Sequence, residues 1–342
     1  MRRLCLFFLL GAVAFCGCGP REDAQLYIYC NETFWYVMQE EALSFNQISG
    51  SQIILIPIRA NRTADKTEGI TEIGTARRAP APWRSMPREQ TDFTVDLRTQ
   101  VNPDIEQQIT RISQEHFGDM FLTDSQKQAQ HVRDTALSAN EYLICYLTLT
   151  MLVPKGNPLA FHSVRDVLDM NRTLGIMDPS FDGLGESSWQ MLGNVVPGGE
   201  SAIPMDLIRI FERQYDLLEA LELGNIDAAL VWNATSQINF LLVKYSDEYN
   251  AAHEAEMRAA ERRKDTEELR ALLQAMFNHL VETRSFAEEV PLSDHPDERC
   301  VVAVRLIALS SALNFGYCER FADFMRSNQG KGILRRFGFV PE

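Results

Sequence analysis

Residues 173–192 read TLGIMDPSFDGLGESSWQML. The run 173–177 is short and apolar and has the composition of a buried β-strand. Asp178-Pro179 ends it, because an Asp side chain bonds its own backbone ahead and proline donates nothing to a sheet. Residues 185–192 then read as a helix, so the stretch is strand, turn, helix. The same unit recurs on both sides. Before it come strands at 25–30, 52–58, 118–122 and 142–153, with helices at 34–46, 104–115, 125–136 and 163–170. After it come helices at 205–213 and 216–223, the second stopped by Gly224-Asn225, and a strand at 228–232. A strand at 301–309 and helices at 316–326 and 329–336 close the chain. Strands alternating with helices at these spacings predict an α/β doubly wound fold. At 342 residues a single core usually splits, so two lobes are expected.

Two segments break the rhythm. Residues 59–99 carry Pro80, Pro82 and Pro87 and a basic cluster of Arg77, Arg78, Arg84 and Arg88, and read as an inserted loop. Residues 244–289 are strongly charged and lack Gly. Their apolar stripe, Leu269, Leu272, Leu273, Met276 and Leu280, has helical spacing. This predicts one long helix or a helical hairpin, packed inside the protein in preference to serving a partner.

The N-terminus has Arg2 and Arg3 before an unbroken apolar run at 4–15, too short to span a bilayer and built as a secretory signal. Phe15-Cys16-Gly17-Cys18 resembles a bacterial lipobox, which implies a lipid on Cys18, a signal peptide at 1–18, a tether at 19–24 and a position on the cell envelope. The formal net charge of −14 argues against nucleic acid. It leaves room for a small anion, since backbone N–H groups at helix starts bind anions whatever the net charge. Cys30, Cys145, Cys300 and Cys318 have no metal-binding spacing, and no CxxC or HExxH occurs, so neither a metal nor a cofactor is expected.

Several stretches, taken in order, resemble the periplasmic molybdate-binding protein family of two-lobed solute receptors. They are LYIYCNETF, FGDMFLTDSQKQ, LTMLVPKGNP, LGIMDPSFDGLG, ALELGNIDAALVW and the terminal FADFMRSNQGKGILRRFGFVPE. The resemblance implies a class II periplasmic-binding-protein-like fold, with a ligand cleft between the two lobes. Lobe I would comprise 25–146 and 305–342, and lobe II 147–304. It also implies a small oxyanion ligand, molybdate-like or tungstate-like, and an ABC transporter membrane permease as partner. In that family the oxyanion is held by hydroxyls and backbone N–H groups at helix starts. By position, Thr33 stands for the first serine and also reads as a helix cap. Leu184 and Gly185 stand for a backbone N–H, with Gly183 and Gly185 allowing close approach. Gln214 lies near another helix start, and Trp232 takes the place of a tyrosine. The second serine pair has no counterpart, so Arg59, Asn61, Thr63 and Asn102 are its candidate substitutes. Arg59 in the cleft would suit sulfate, a phosphonate or a carboxylate.

Two other functions compete: an envelope lipoprotein acting through a protein partner with transport lost, and a cleft enzyme. Catalysis has little support. Ser187-Ser188 have no histidine nearby, and no G-x-S-x-G elbow occurs. His116, His131, His162, His253, His279 and His295 are scattered, and the Asp178-Pro179 turn accounts for Asp178.

Overall fold

The computed structural model describes residues 25–49, 52–57, 118–180, 183–234, 236–263, 266–293 and 295–342. Cys18, Arg59, Asn61, Thr63, Asn102, the N-terminal segment 1–24 and the whole of 59–99 lie outside the described residues.

The chain opens with strand β1 (Gln25–Cys30), a 3₁₀ turn (Glu32–Phe34), helix α1 (Trp35–Ser49) and strand β2 (Gln52–Pro57). β2 lies parallel to β1, the arrangement that a helical crossover produces. β3 (Met120–Thr123) pairs with the other side of β1, also parallel. Helix α2 (Gln126–Asp134) follows, capped by the Ser125 hydroxyl, which accepts from the Gln128 amide. The 17-residue strand β4 (Ser138–Pro154) follows.

After β4 the unit is repeated. Helix α3 (Val164–Asp169) starts at a full capping box between Ser163 and Asp166. Next come β5 (Leu174–Met177), α4 (Gly183–Val195), β6 (Ile208–Phe211), α5 (Gln214–Glu222) and β7 (Ala228–Trp232). β5 pairs parallel with β6 on one side and with β7 on the other. Helices α6 (Ser236–Ala252), α7 (Glu254–Arg263) and α8 (Thr266–Arg284) precede β8 (Ala287–Pro291) and β9 (Val301–Leu309). The chain ends in α9 (Phe315–Arg326), α10 (Asn328–Arg336) and β10 (Val340–Pro341).

The sheet order is β2-β1-β3-β9-β4-β7-β5-β6, with β8 and β10 both pairing to β4. Two parallel trios, β2-β1-β3 and β7-β5-β6, are joined through the antiparallel β9-β4 pair. This is the expected α/β fold with two doubly wound halves. β4 is nearly all buried toward its end, as a strand covered on both faces must be.

Three expectations need correction. The helix expected at 205–213 is strand β6, which bonds along its length to β5. It is an edge strand of four residues with apolar groups on both faces. Ile208 is buried and Ile210 exposed, and four residues are too few to show a two-residue period. The segment 244–289 is neither one helix nor a hairpin: it holds most of α6, all of α7 and α8, and ends in β8, which pairs antiparallel with β4. Met276 and Leu280 of its stripe are buried in the main core, as expected for internal packing. Thirdly, Thr33 does not cap α1. It sits inside the 3₁₀ turn, and the Asn31 side chain accepts the Thr33 amide at 3.1 Å in its place.

Candidate functional site

In open α/β sheets ligands gather at the carboxyl ends of strands. Four such ends converge here. β1 gives way to Asn31, β3 to Asp124, β7 ends at Trp232, and the loop after β5 leads into α4 at Gly183. The first two belong to one half of the molecule and the last two to the other.

Asp124 is the centre. Its residue is 2% exposed. The Trp232 indole donates to its Oδ2 at 2.7 Å, and the Asn31 amide nitrogen donates to its Oδ1 at 3.2 Å. The backbone N–H of Gly183 and that of Asp124 itself complete four donors. A carboxylate has about four lone-pair sites, so this one is saturated. Burial pushes its pKa up, and these hydrogen bonds pull it down without cancelling the rise. Taking a carboxylate out of water costs several kcal/mol, roughly, which only a full set of donors offsets.

A second bond joins the halves beside it. Ser125 Oγ donates to Glu186 Oε2 at 2.8 Å, while accepting the Gln128 amide within its own cap. Glu186 lies in the first turn of α4, where the helix dipole favours a negative charge. Thr123, the last residue of β3, donates through its hydroxyl to Gln128 at 2.8 Å and accepts the Ser125 amide at 3.0 Å, fixing the loop that carries Asp124.

The family model for bacterial extracellular solute-binding proteins matches residues 85–340. The chain belongs to this family. A search of curated protein sequences gives no match. Among solved structures, the fold is similar to the ferric binding protein from Campylobacter jejuni at 11% identity and a TM-score of 0.57, over 92% of this chain and 86% of that one. It is also similar to the periplasmic molybdate-binding protein of Azotobacter vinelandii, at 10% identity and a TM-score of 0.53, over 92% and 98%. The sulfate-binding protein of Mycobacterium tuberculosis matches at 11% identity and a TM-score of 0.53, over 93% and 86%. Identities this low show the two-lobed fold and nothing about the ligand.

In this solute-binding protein the described residues expected at the site fall into four groups. Trp232 is at the centre, fully buried, and its N–H goes to Asp124. Thr33 is buried one turn away and tied to the centre through Asn31, which bonds both Thr33 and Asp124. Leu184 and Gly185 follow Gly183 in the first turn of α4. The Leu184 side chain is core, and a Cβ on Gly185 would run into the carbonyls of Met177 and Asp178, so packing alone requires that glycine. Gln214 opens α5 and is buried, with its Nε2 lacking a partner among the described residues. It makes no hydrogen bond to Asp124.

Sequence reasoning missed Asn31, Asp124, Ser125 and Glu186. The available signal was Thr-Asp-Ser directly after the apolar strand in FGDMFLTDSQKQ, a carboxylate at a strand's carboxyl end. Gly183 was expected to let a ligand approach. What approaches is Asp124: a Cβ on Gly183 would lie 2.5 Å from the Asp124 carbonyl carbon.

Among the described residues no group of three or more His, Cys, Asp or Glu side chains could hold a metal ion. The four described cysteines are free thiols. Burial pushes Cys30 and Cys318 up to about 12, with the charge of Asp119 adding at Cys318. Burial also pushes Cys145 up, with the charges of Glu41 and Asp124 adding. Such thiols are protonated and inert as nucleophiles. A cavity of about 410 Å³ lies on the helical segment, lined by Ile238, Phe277, Val281 and Phe337 and by the polar Gln274, Asn278, Glu282 and Arg336.

Proposed function

We propose that this extracellular solute-binding protein is the receptor of an ABC-type importer and takes a small oxyanion, molybdate-like or a carboxylate, between its lobes. One observation carries the reading: four N–H donors from both halves of the molecule converge on a single pair of carboxylate oxygens. Donors without a countercharge suit an oxyanion, because a helix start supplies unpaired N–H groups and a partial positive charge. Thr33, the backbone of Leu184 and Gly185, and the spare Gln214 amide hydrogen are the additional donors in this reading. Arg59, Asn61 and Asn102 are its proposed contributors from the segments around the inserted loop.

The ligands named for similar folds differ: iron, molybdate and sulfate. The oxyanions fit this set of donors better than ferric iron, since no metal-ligand cluster occurs among the described residues. The remaining parts of the proposal are a lipid on Cys18, a place on the outer side of a cell membrane, and delivery of solute to a membrane permease. Thermal-shift measurement against molybdate, tungstate, sulfate, phosphonates and small carboxylates tests the ligand class, because a ligand that binds only the folded state raises its melting temperature. Cys18→Ser should release the protein from the membrane fraction. A mature N-terminus found elsewhere and unmodified would refute the anchor.

A further inference from the structure

The donors that define the cleft are already satisfied, and by the chain itself. Asp124 comes from one half of the molecule, on the loop after β3. Two of its four donors, the Trp232 indole and the Gly183 amide, come from the other half. Its carboxylate therefore bridges the halves as a bound solute would. The packing around it is close: the start of α4 lies against the Asp124 peptide so tightly that only glycine fits at 183. The Ser125–Glu186 bond secures the same contact, one residue beyond Asp124 and three beyond Gly183.

We propose that Asp124 is a resident internal anion that selects among solutes, closing the lobes in the absence of ligand and yielding its donors only to an oxyanion able to displace it. This rests on the receptor reading above for what displaces it, but not for the occupancy of the donors. Two consequences follow. A solute anion binds only the fraction of molecules in which Asp124 has left, so its apparent affinity is reduced by that fraction. Weak monoanions at low concentration are excluded, because they compete with a carboxylate tethered at high effective concentration.

Removing the carboxylate should vacate the donors. In Asp124→Ala the space left is that of one carboxylate group, which sodium formate or acetate can refill. The expected result is that formate and acetate at millimolar concentration raise the melting temperature of Asp124→Ala and leave the wild type unchanged. Small-angle scattering should show an expanded Asp124→Ala that contracts when formate is added. Molybdate or sulfate, whichever binds the wild type, should bind Asp124→Ala about tenfold more tightly or better. Asp124→Asn keeps the shape and removes the charge, and should also gain oxyanion affinity; it decides the matter if the alanine variant does not fold. A folded Asp124→Ala with no formate response would overturn the proposal, leaving Asp124 as a structural contact between lobes. So would an Asp124→Asn variant with unchanged or weaker oxyanion affinity than a wild type that binds. Should the wild type bind nothing in the panel while formate rescues Asp124→Ala, the receptor's ligand class fails and the internal anion stands.

Discussion

Trp232 and Asp124 are each fully enclosed, and the bond between them is 2.7 Å long. Neither can turn to water, so each depends on the other. Trp232→Phe keeps the aromatic volume and deletes one donor to a buried carboxylate. A hydrogen bond to a charged group contributes about 1.5–3 kcal/mol, so chemical denaturation should show a loss in that range. A loss near zero would mean that water replaces the indole N–H. The pH dependence has a definite sign. Burial raises the Asp124 pKa, so the folded state binds a proton at pH values where the unfolded chain has released it. Stability from this group therefore falls as pH rises from the ordinary carboxylate value through the raised one, and is lowest above it. Denaturation midpoints of wild type and Asp124→Asn, measured across that window, should converge at low pH relative to their separation at neutral pH, with the wild type carrying the downward slope. A slope that is the same in both proteins would assign it elsewhere, for example to Asp119, whose carboxyl burial also raises.

Helix starts in this protein repeatedly hold the chain's own carboxylates. Glu298, 3% exposed, accepts the backbone N–H groups of Val164 and Arg165 at the start of α3, at 2.8 and 3.2 Å. Asp124 does the same for Gly183 at the start of α4. The unpaired N–H groups of a helix start make both contacts favourable. The added helices are held by different means. α8 packs on α6, and its Met276 and Leu280 join the main core, 1% and 3% exposed. Leu280→Ala should cost about 2–5 kcal/mol, the range for a buried large-to-small change. A variant melting with the wild type would make 236–284 an accessory arm outside the cooperative core. At this scale most elements were legible. β1, β4, β5, β7, β9 and the last two helices declare themselves through apolar runs bounded by Pro, Gly or capping residues. β6 did not, because an edge strand of four residues has no period to read. β8 did not, because AEEVP carries two glutamates and takes its place only by pairing with β4.

On the scale of the whole molecule, β4 and β9 run through the middle of the sheet between the two parallel trios, and bonds across the cleft hold the halves together at Asp124 and Ser125. The site was only half legible for a physical reason. Trp232 could be placed because it ends a strand that the sequence marks plainly. Asn31, Asp124 and Gly183 are 59 to 152 residues apart in sequence and become one site only when the lobes meet. Of the residues chosen by position, Thr33 donates its amide to Asn31, and Gly185 packs on the backbone of Met177 and Asp178. These converging donors are proposed to bind an oxyanion. The direct test is calorimetric titration of the wild type, Asp124→Ala and the double variant Asp124→Ala/Trp232→Phe with molybdate, tungstate, sulfate and small carboxylates. At least one anion should bind the wild type at a single site, and the double variant should bind it about tenfold or more weakly than Asp124→Ala, as loss of one hydrogen bond to a charge implies. No binding of any anion to the wild type, or equal affinity in a folded double variant and in Asp124→Ala, would refute the reading.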